Sequence, residues 1–225
     1  MKYQAVIFDL GGTLCKYVPW SAFEEAAGKM ARVCGAPAEE FIKLYFADSA
    51  RMGTGEFSSY QEYCKHLLDK LNIEVNENTV EQAAAFPFAL TKQVIEPREE
   101  SIEVLAGLKE KDYKLGLISD CFYDVPEIWP DTLYAGYFDA TVFSCDVGMN
   151  KANPEIFRIT LKKLGVNATD SIYVADGARN ELTNAARLGM KAVQIFIPEE
   201  RDNSPIREDW RGTKISSLQE IFDLL

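Results

Sequence analysis

Ala5-Val6-Ile7-Phe8-Asp9-Leu10-Gly11-Gly12-Thr13-Leu14 is a hydrophobic run that ends on one carboxylate and then turns through two glycines. Four consecutive apolar residues followed closely by Gly-Gly predict a short strand buried on both faces, as in a parallel sheet covered by helices. Asp9 then falls at the carboxyl end of that strand, where open α/β sheets collect ligands. Gly11 and Gly12 free the backbone for close approach, so amides there can hold an anion. A carboxylate so placed can ligate a metal or act as a nucleophile, the plain alternative being an Asp that caps a turn.

Working outward, four further strands are expected at Leu115 to Ser119, Ala140 to Ser144, Ile172 to Asp176 and Ala192 to Ile197. Helical patterns lie between them. One has Asn153 as N-cap and Pro154 at its first position, presents Phe157, Leu161 and Leu164 on one face and stops at Gly165. Another runs from Arg179 to Leu188 and ends at Gly189. Strands alternating with helices give an α/β fold, a doubly wound parallel sheet. The first two strands are separated by about a hundred residues of helical spacing. Segments near Trp20 to Cys34, Glu39 to Arg51, Phe57 to Leu71 and Asn78 to Ala89 make this an all-helical insertion, rejoining near Glu96-Pro97.

The chain of 225 residues, 47% of them hydrophobic, can bury one sizeable core plus a smaller inserted unit. A net charge of −11 argues against a nucleic-acid partner, because phosphate backbones attract basic surfaces. No apolar run approaches the roughly 18 residues of a membrane helix, and the N-terminus reads as a strand instead of a leader. The expected location is cytoplasmic, with no membrane partner, as a monomer or homodimer. Cys15, Cys34, Cys64, Cys121 and Cys145 show no C-x-x-C spacing and read as reduced thiols. His66, the single histidine, lies on a helical face with Phe57, Tyr60, Cys64, Leu67 and Leu71, and reads as a surface or packing residue.

Three other strand ends or their loops carry reactive side chains. Ser119 closes Leu115 to Ile118, Lys151 lies in Gly148-Met149-Asn150-Lys151-Ala152-Asn153-Pro154, and Asp176 closes Ile172 to Ala175 with Glu181 in the next turn. A carboxylate, a hydroxyl, a cation and a second carboxylate thus fall where a parallel sheet gathers ligands. On these four ordered motifs, including Phe8-Asp9-Leu10-Gly11-Gly12-Thr13 and Val174-Ala175-Asp176, the chain resembles the haloacid dehalogenase (HAD) superfamily over essentially its whole length.

The resemblance implies a Rossmann-like core, residues 1–14 and 97–225, and a helical cap, residues 15–96. It makes Asp9 the nucleophile that takes up a phosphoryl group as an aspartyl-phosphate. Gly11, Gly12, Ser119, Asp120 and Lys151 would surround that group, with Ser119 hydrogen-bonding its oxygens and Lys151 neutralising charge. Mg²⁺ would be held by Asp9, the Gly11 carbonyl and Asp176, with Glu181 supporting its outer shell. The cap would close by hinge motion around Leu14 to Tyr17 and Glu96 to Arg98. Trp20, Phe23, Tyr45 and Phe46 would then line the closed pocket or pack the cap core. Trp129-Pro130-Asp131 reads as a loop near the pocket or as surface.

Gly11 departs from the family pattern, because family phosphatases usually carry a second Asp there as general acid and base. A carbonyl ligand survives the change while proton transfer is lost, a loss worth about 10² to 10⁴-fold in rate. Asp120 and Ala152 are lesser departures, at positions where Asn and Pro are frequent. The leading expectation is a Mg²⁺-dependent phosphatase of a small phosphorylated metabolite. A metal-independent 2-haloacid dehalogenase, a phosphonate hydrolase, whose relatives use a Schiff-base cap lysine for which neither Lys29 nor Lys43 offers a matching setting, and a phospho-ligand-binding protein without turnover remain as alternatives.

Overall fold

The computed structural model describes residues 2–200 and 207–225. Six strands form one parallel sheet in the order β3-β2-β1-β4-β5-β6. They are β1 (Ala5–Phe8), β2 (Lys114–Ser119), β3 (Ala140–Phe143), β4 (Ser171–Ala175), β5 (Lys191–Ile195) and β6 (Thr213–Ile215). The chain starts in the middle, builds to one side through β3, then returns beside β1 with β4. That reversal opens the crevice at which such sheets bind ligands. β1 pairs with β2 and β4 in register, Phe8 opposite both Leu117 and Val174, so Asp9 emerges between two neighbouring strand ends.

The expected strands all form, each shifted by a residue or two. Ser144 opens a helix instead of ending β3, and Asp176 lies just beyond β4. The three-residue β6 carries too little pattern to be read from sequence. Alternation along β1 sends Val6 and Phe8 to one face and Ala5 and Ile7 to the other. Helix α6 (Ser101–Glu110) covers the first face; α9 (Glu155–Leu164) and α10 (Glu181–Arg187) cover the second. Asn153 Oδ1 accepts from the Glu155 N–H, but the helix begins one residue later than expected, with Pro154 in the capping position. Gly165 ends it in the left-handed conformation, as expected.

Between β1 and α6 the described residues form five inserted α-helices: α1 (Trp20–Val33), α2 (Ala38–Ala47), α3 (Ser49–Gly53), α4 (Tyr60–Lys70) and α5 (Glu77–Val94). The segment expected as one helix from Glu39 to Arg51 breaks at Asp48. That carboxylate instead gathers Arg51, His66 and Lys70. α5 runs through Pro87, whose own carbonyl accepts from Thr91 Oγ1, and extends well past Ala89. His66 pairs with Asp48 and packs on Phe57, a packing role as expected. Phe57 and Leu71 flank α4 and are not part of it.

These helices share a separate hydrophobic cluster, into which the core inserts Phe122, its ring 4.6 Å from that of Tyr60. The two chain crossings between insertion and core are tied together by the Cys15–Pro97 bridge and by the Leu14 carbonyl, which accepts from the Arg98 N–H. Trp129 is neither a pocket loop nor surface. It is buried in the core on α7 (Asp124–Ile128) and the turn after it, stacked on Tyr134. The short α8 (Ser144–Val147) follows β3 directly. All five cysteines are free thiols. Among the described residues no helix is long and apolar enough to cross a membrane.

Candidate active site

The Asp9 N–H donates to the Val174 carbonyl at 2.9 Å, so the parallel ladder holds the carboxylate's position before the chain turns. The loop Leu10–Leu14 is a wide turn closed by the Cys15 N–H on the Leu10 carbonyl. Arg98, buried, staples it by donating to the carbonyls of Gly12, Thr13 and Cys15 while pairing with Glu200. The two glycines differ in kind. Gly12 has φ +73°, and a Cβ there would lie 2.5 Å from Asp176 Oδ2, so no other residue fits. Gly11 has φ −73°, and a Cβ there would meet nothing within 4 Å. Its missing side chain is a matter of chemistry and not of space.

Asp9 is buried and fully engaged. Lys151 Nζ stands 2.5 Å from Oδ1, and Thr13 Oγ1 donates to Oδ2 at 2.8 Å. Burial pushes its pKa up to about 7 against the pull of Lys151, with Glu181 and Asp176 adding to the rise. Lys151 also pairs with Glu181 at 2.6 Å, and between two carboxylates it stays protonated. Asn184 holds the Lys151 loop by donating to the Lys151 carbonyl.

Glu181 lies wholly buried beneath the site. It accepts from the Gly177 and Ala178 N–H groups and from the Tyr173 hydroxyl, so what it visibly does is fix the β4–α10 turn and Lys151. Asp176 Oδ2 accepts from Arg207 Nη1 at 2.7 Å. Its Oδ1 is buried with no hydrogen-bond partner among the described residues. Burial raises the Asp176 pKa to about 6, with Glu181 contributing and Arg207 opposing. Ser119, buried at the end of β2, lies against the Cys121 thiol, and the Ser144 hydroxyl bonds both the N–H and the carbonyl of Cys121 to set this loop.

The structure brings Asp9, Gly11, Gly12, Ser119, Asp120, Lys151 and Asp176 to one cleft of about 380 Å³ under the inserted helices. Trp20, Phe23, Tyr45 and Phe46 line its roof, joined by Met52 and Tyr60. On one wall Thr91 Oγ1 donates to the buried Asp124. Lys29 and Lys43 line no part of it, and Lys29 pairs with Glu25.

Oxygens of Asp9, Asp176 and Glu181 come within 4.8 Å of one another. Among the described residues three carboxylates face two cations, Lys151 and Arg207, so the cluster is formally one charge negative. An all-oxygen donor set, net negative, with one buried carboxylate oxygen unused, fits a hard divalent cation such as Mg²⁺. Arg98, Thr13 and Arg207 were missed from sequence. Thr13 sits in the decisive motif, whereas Arg98 and Arg207 give no local signal.

Residues 3–189 match the family described as "Hydrolase: haloacid dehalogenase-like hydrolase". The chain belongs to this family. As a HAD-like hydrolase it is similar to the glyceraldehyde 3-phosphate phosphatase of Methanopyrus kandleri, 25% identical over 213 residues, which cover 92% of this chain and 89% of that protein. The protein of the same name from Methanocaldococcus jannaschii is 29% identical over 135 residues. There the match covers 59% of this chain and spans little more than half of the relative, 58%. Among solved structures, a 2-haloacid dehalogenase from Pseudomonas syringae superposes with a TM-score of 0.71 at 21% identity, covering 99% of this chain and 97% of the other. That likeness is one of fold.

Proposed function

We propose that this HAD-like hydrolase is a Mg²⁺-dependent phosphatase of a small phosphorylated metabolite. Asp9 is its nucleophile, and the helices at 15–96 form a cap over a core of 1–14 and 97–225. The observation that carries the reading is Asp176 Oδ1, a buried carboxylate oxygen without a partner beside Asp9. A metal-independent dehalogenase has no use for that group, and leaving it unpaired costs about 1 to 3 kcal/mol or more. The phosphatases among its relatives support the same choice.

Asp9, the Gly11 carbonyl and Asp176 would hold the cation, which supplies charge neutralisation to the phosphoryl group. Lys151 would favour the ionised form of Asp9 for in-line attack, and Thr13 orients its second oxygen. Ser119 and the amides of the Gly11-Gly12 turn receive the phosphoryl oxygens. The aromatic roof offers apolar surface to the organic part of a small substrate. The free thiols accord with a cytoplasmic protein.

The test is phosphate release from para-nitrophenyl phosphate, acetyl phosphate and an alkyl phosphate panel, with Mg²⁺ or with EDTA, by wild type and Asp9→Asn. Turnover that needs both Mg²⁺ and Asp9 is expected. Silence across the panel, or chloride release from 2-chloropropionate in EDTA, would overturn the proposal.

A further inference from the structure

Gly11 leaves the leaving group without its usual proton donor, and the same cleft holds a carboxylate with one oxygen unused. Asp120 follows Ser119 off the end of β2, the strand paired with β1, and lines the cleft with Asp9, Gly11 and Lys151. Its Oδ1 accepts from the Lys151 backbone N–H at 2.9 Å, which orients the carboxyl group. Oδ2 is buried and accepts no hydrogen bond. Arg179 Nε lies 3.7 Å from it, close enough for an ion pair but beyond hydrogen-bond reach, so it offsets only part of the cost of an anion there. A buried oxygen in that position is costly as a bare anion and far less so as O–H.

We propose that Asp120 carries out the proton transfers that Gly11 cannot, as general acid and then general base. The assignment rests on the phosphatase reading and supplies the residue that reading lacks. In the first half-reaction Asp9 forms the O–P bond, the P–O bond to the leaving group breaks, and the Asp120 O–H gives its proton to the departing oxygen. In the second, the Asp120 carboxylate takes a proton from the water that attacks phosphorus. The bond from phosphorus to Asp9 breaks, inorganic phosphate leaves, and Asp120 is again an acid.

The surroundings suit the role. Burial raises the Asp120 pKa, Lys151 and Arg179 pull it down, and Glu181 pushes it up. An arriving phosphate dianion adds like charge and favours the protonated form further. Asp9 cannot do this work itself, since it is the attacking group.

Asp120→Asn keeps an oxygen to accept from the Lys151 N–H and carries no transferable proton, so a purely positional role survives the change. With Mg²⁺, its kcat/KM on alkyl phosphates is expected to fall about 10² to 10⁴-fold, and on para-nitrophenyl phosphate, whose leaving group needs no proton, less than about tenfold. The alkaline limb of the alkyl-phosphate pH profile disappears with it. Asp120→Glu, which still carries a proton, recovers at least tenfold of the alkyl activity over Asn and serves as the second variant if Asn misfolds. Equal losses on both ester classes, or alkyl turnover within threefold of wild type in Asp120→Asn, overturn the assignment while leaving the phosphatase reading intact. Wild type silent on every ester overturns both.

Discussion

Replacing Lys151 by Met removes one charge from a buried ionic cluster and keeps most of the side-chain volume. Its ammonium lies 2.5 Å from Asp9 and 2.6 Å from Glu181, and the side chains of those acids are 6% and 0% exposed. Arg207, on the far side of Asp176, is then the remaining cation of the cluster. Breaking a buried pair from one side costs about 3 to 5 kcal/mol. For a chain of this size that is a fall of roughly 6 to 20 °C in Tm.

The pH dependence separates this cause from lost packing. A buried carboxylate that loses its cation takes up a proton instead, and each pH unit downward lowers that cost by ~1.4 kcal/mol. The gap between variant and wild type in urea unfolding with EDTA should therefore shrink by more than half from pH 7 to pH 5. A gap below about 1 kcal/mol at pH 7, or one that does not change with pH, would refute the electrostatic account of this cluster.

In metal-free wild type, Asp9 and Asp176 have folded pKa values raised to about 7 and about 6, so the folded state holds the extra protons. Their contribution is fully present below pH ~4 and is lost as pH rises through 6 to 7. Mg²⁺ needs both groups ionised, so the rise in Tm on adding it should be larger at pH 7.5 than at pH 5; an equal rise would contradict the metal assignment. Gly12→Ala drives a Cβ against Asp176 and forces a left-handed alanine, costing ~1 to 2 kcal/mol in backbone alone. Mg²⁺-dependent turnover should drop at least tenfold there, whereas Gly11→Ala, with open space around it, should fold like wild type by circular dichroism. Phe122→Ala empties the socket between core and inserted helices and should cost about 3 to 5 kcal/mol in chemical denaturation. A loss under 1 kcal/mol would mean the two units are joined by other contacts.

Much of the site was legible because a parallel sheet converts sequence order into position. Every strand ends at the same edge, so the residues closing Ala5–Phe8, Lys114–Ser119 and Ser171–Ala175 must meet, whatever lies between them. Asp9, Ser119 and Asp176 follow from that rule, whereas Lys151 comes from the loop between α8 and α9. Helix stops with a mechanism, such as the left-handed Gly165, were also local enough to read.

The sequence by itself determined the strand-turn-carboxylate unit, the α/β alternation, the helical insertion and the absence of a side chain at position 11. The tertiary structure decided what each charge faces. Arg98 staples the Asp9 loop from across the insertion, Arg207 holds Asp176 from beyond β5, and Asp120 keeps one oxygen idle beside Lys151. Trp129 turned out to be core, and the aromatics of α1 and α2 roof the cleft. Backbone preference and hydrophobic period act over a few residues, so they are written locally. Pairing of buried charge depends on which distant segments the folded chain brings within a few ångströms, and no local pattern records that.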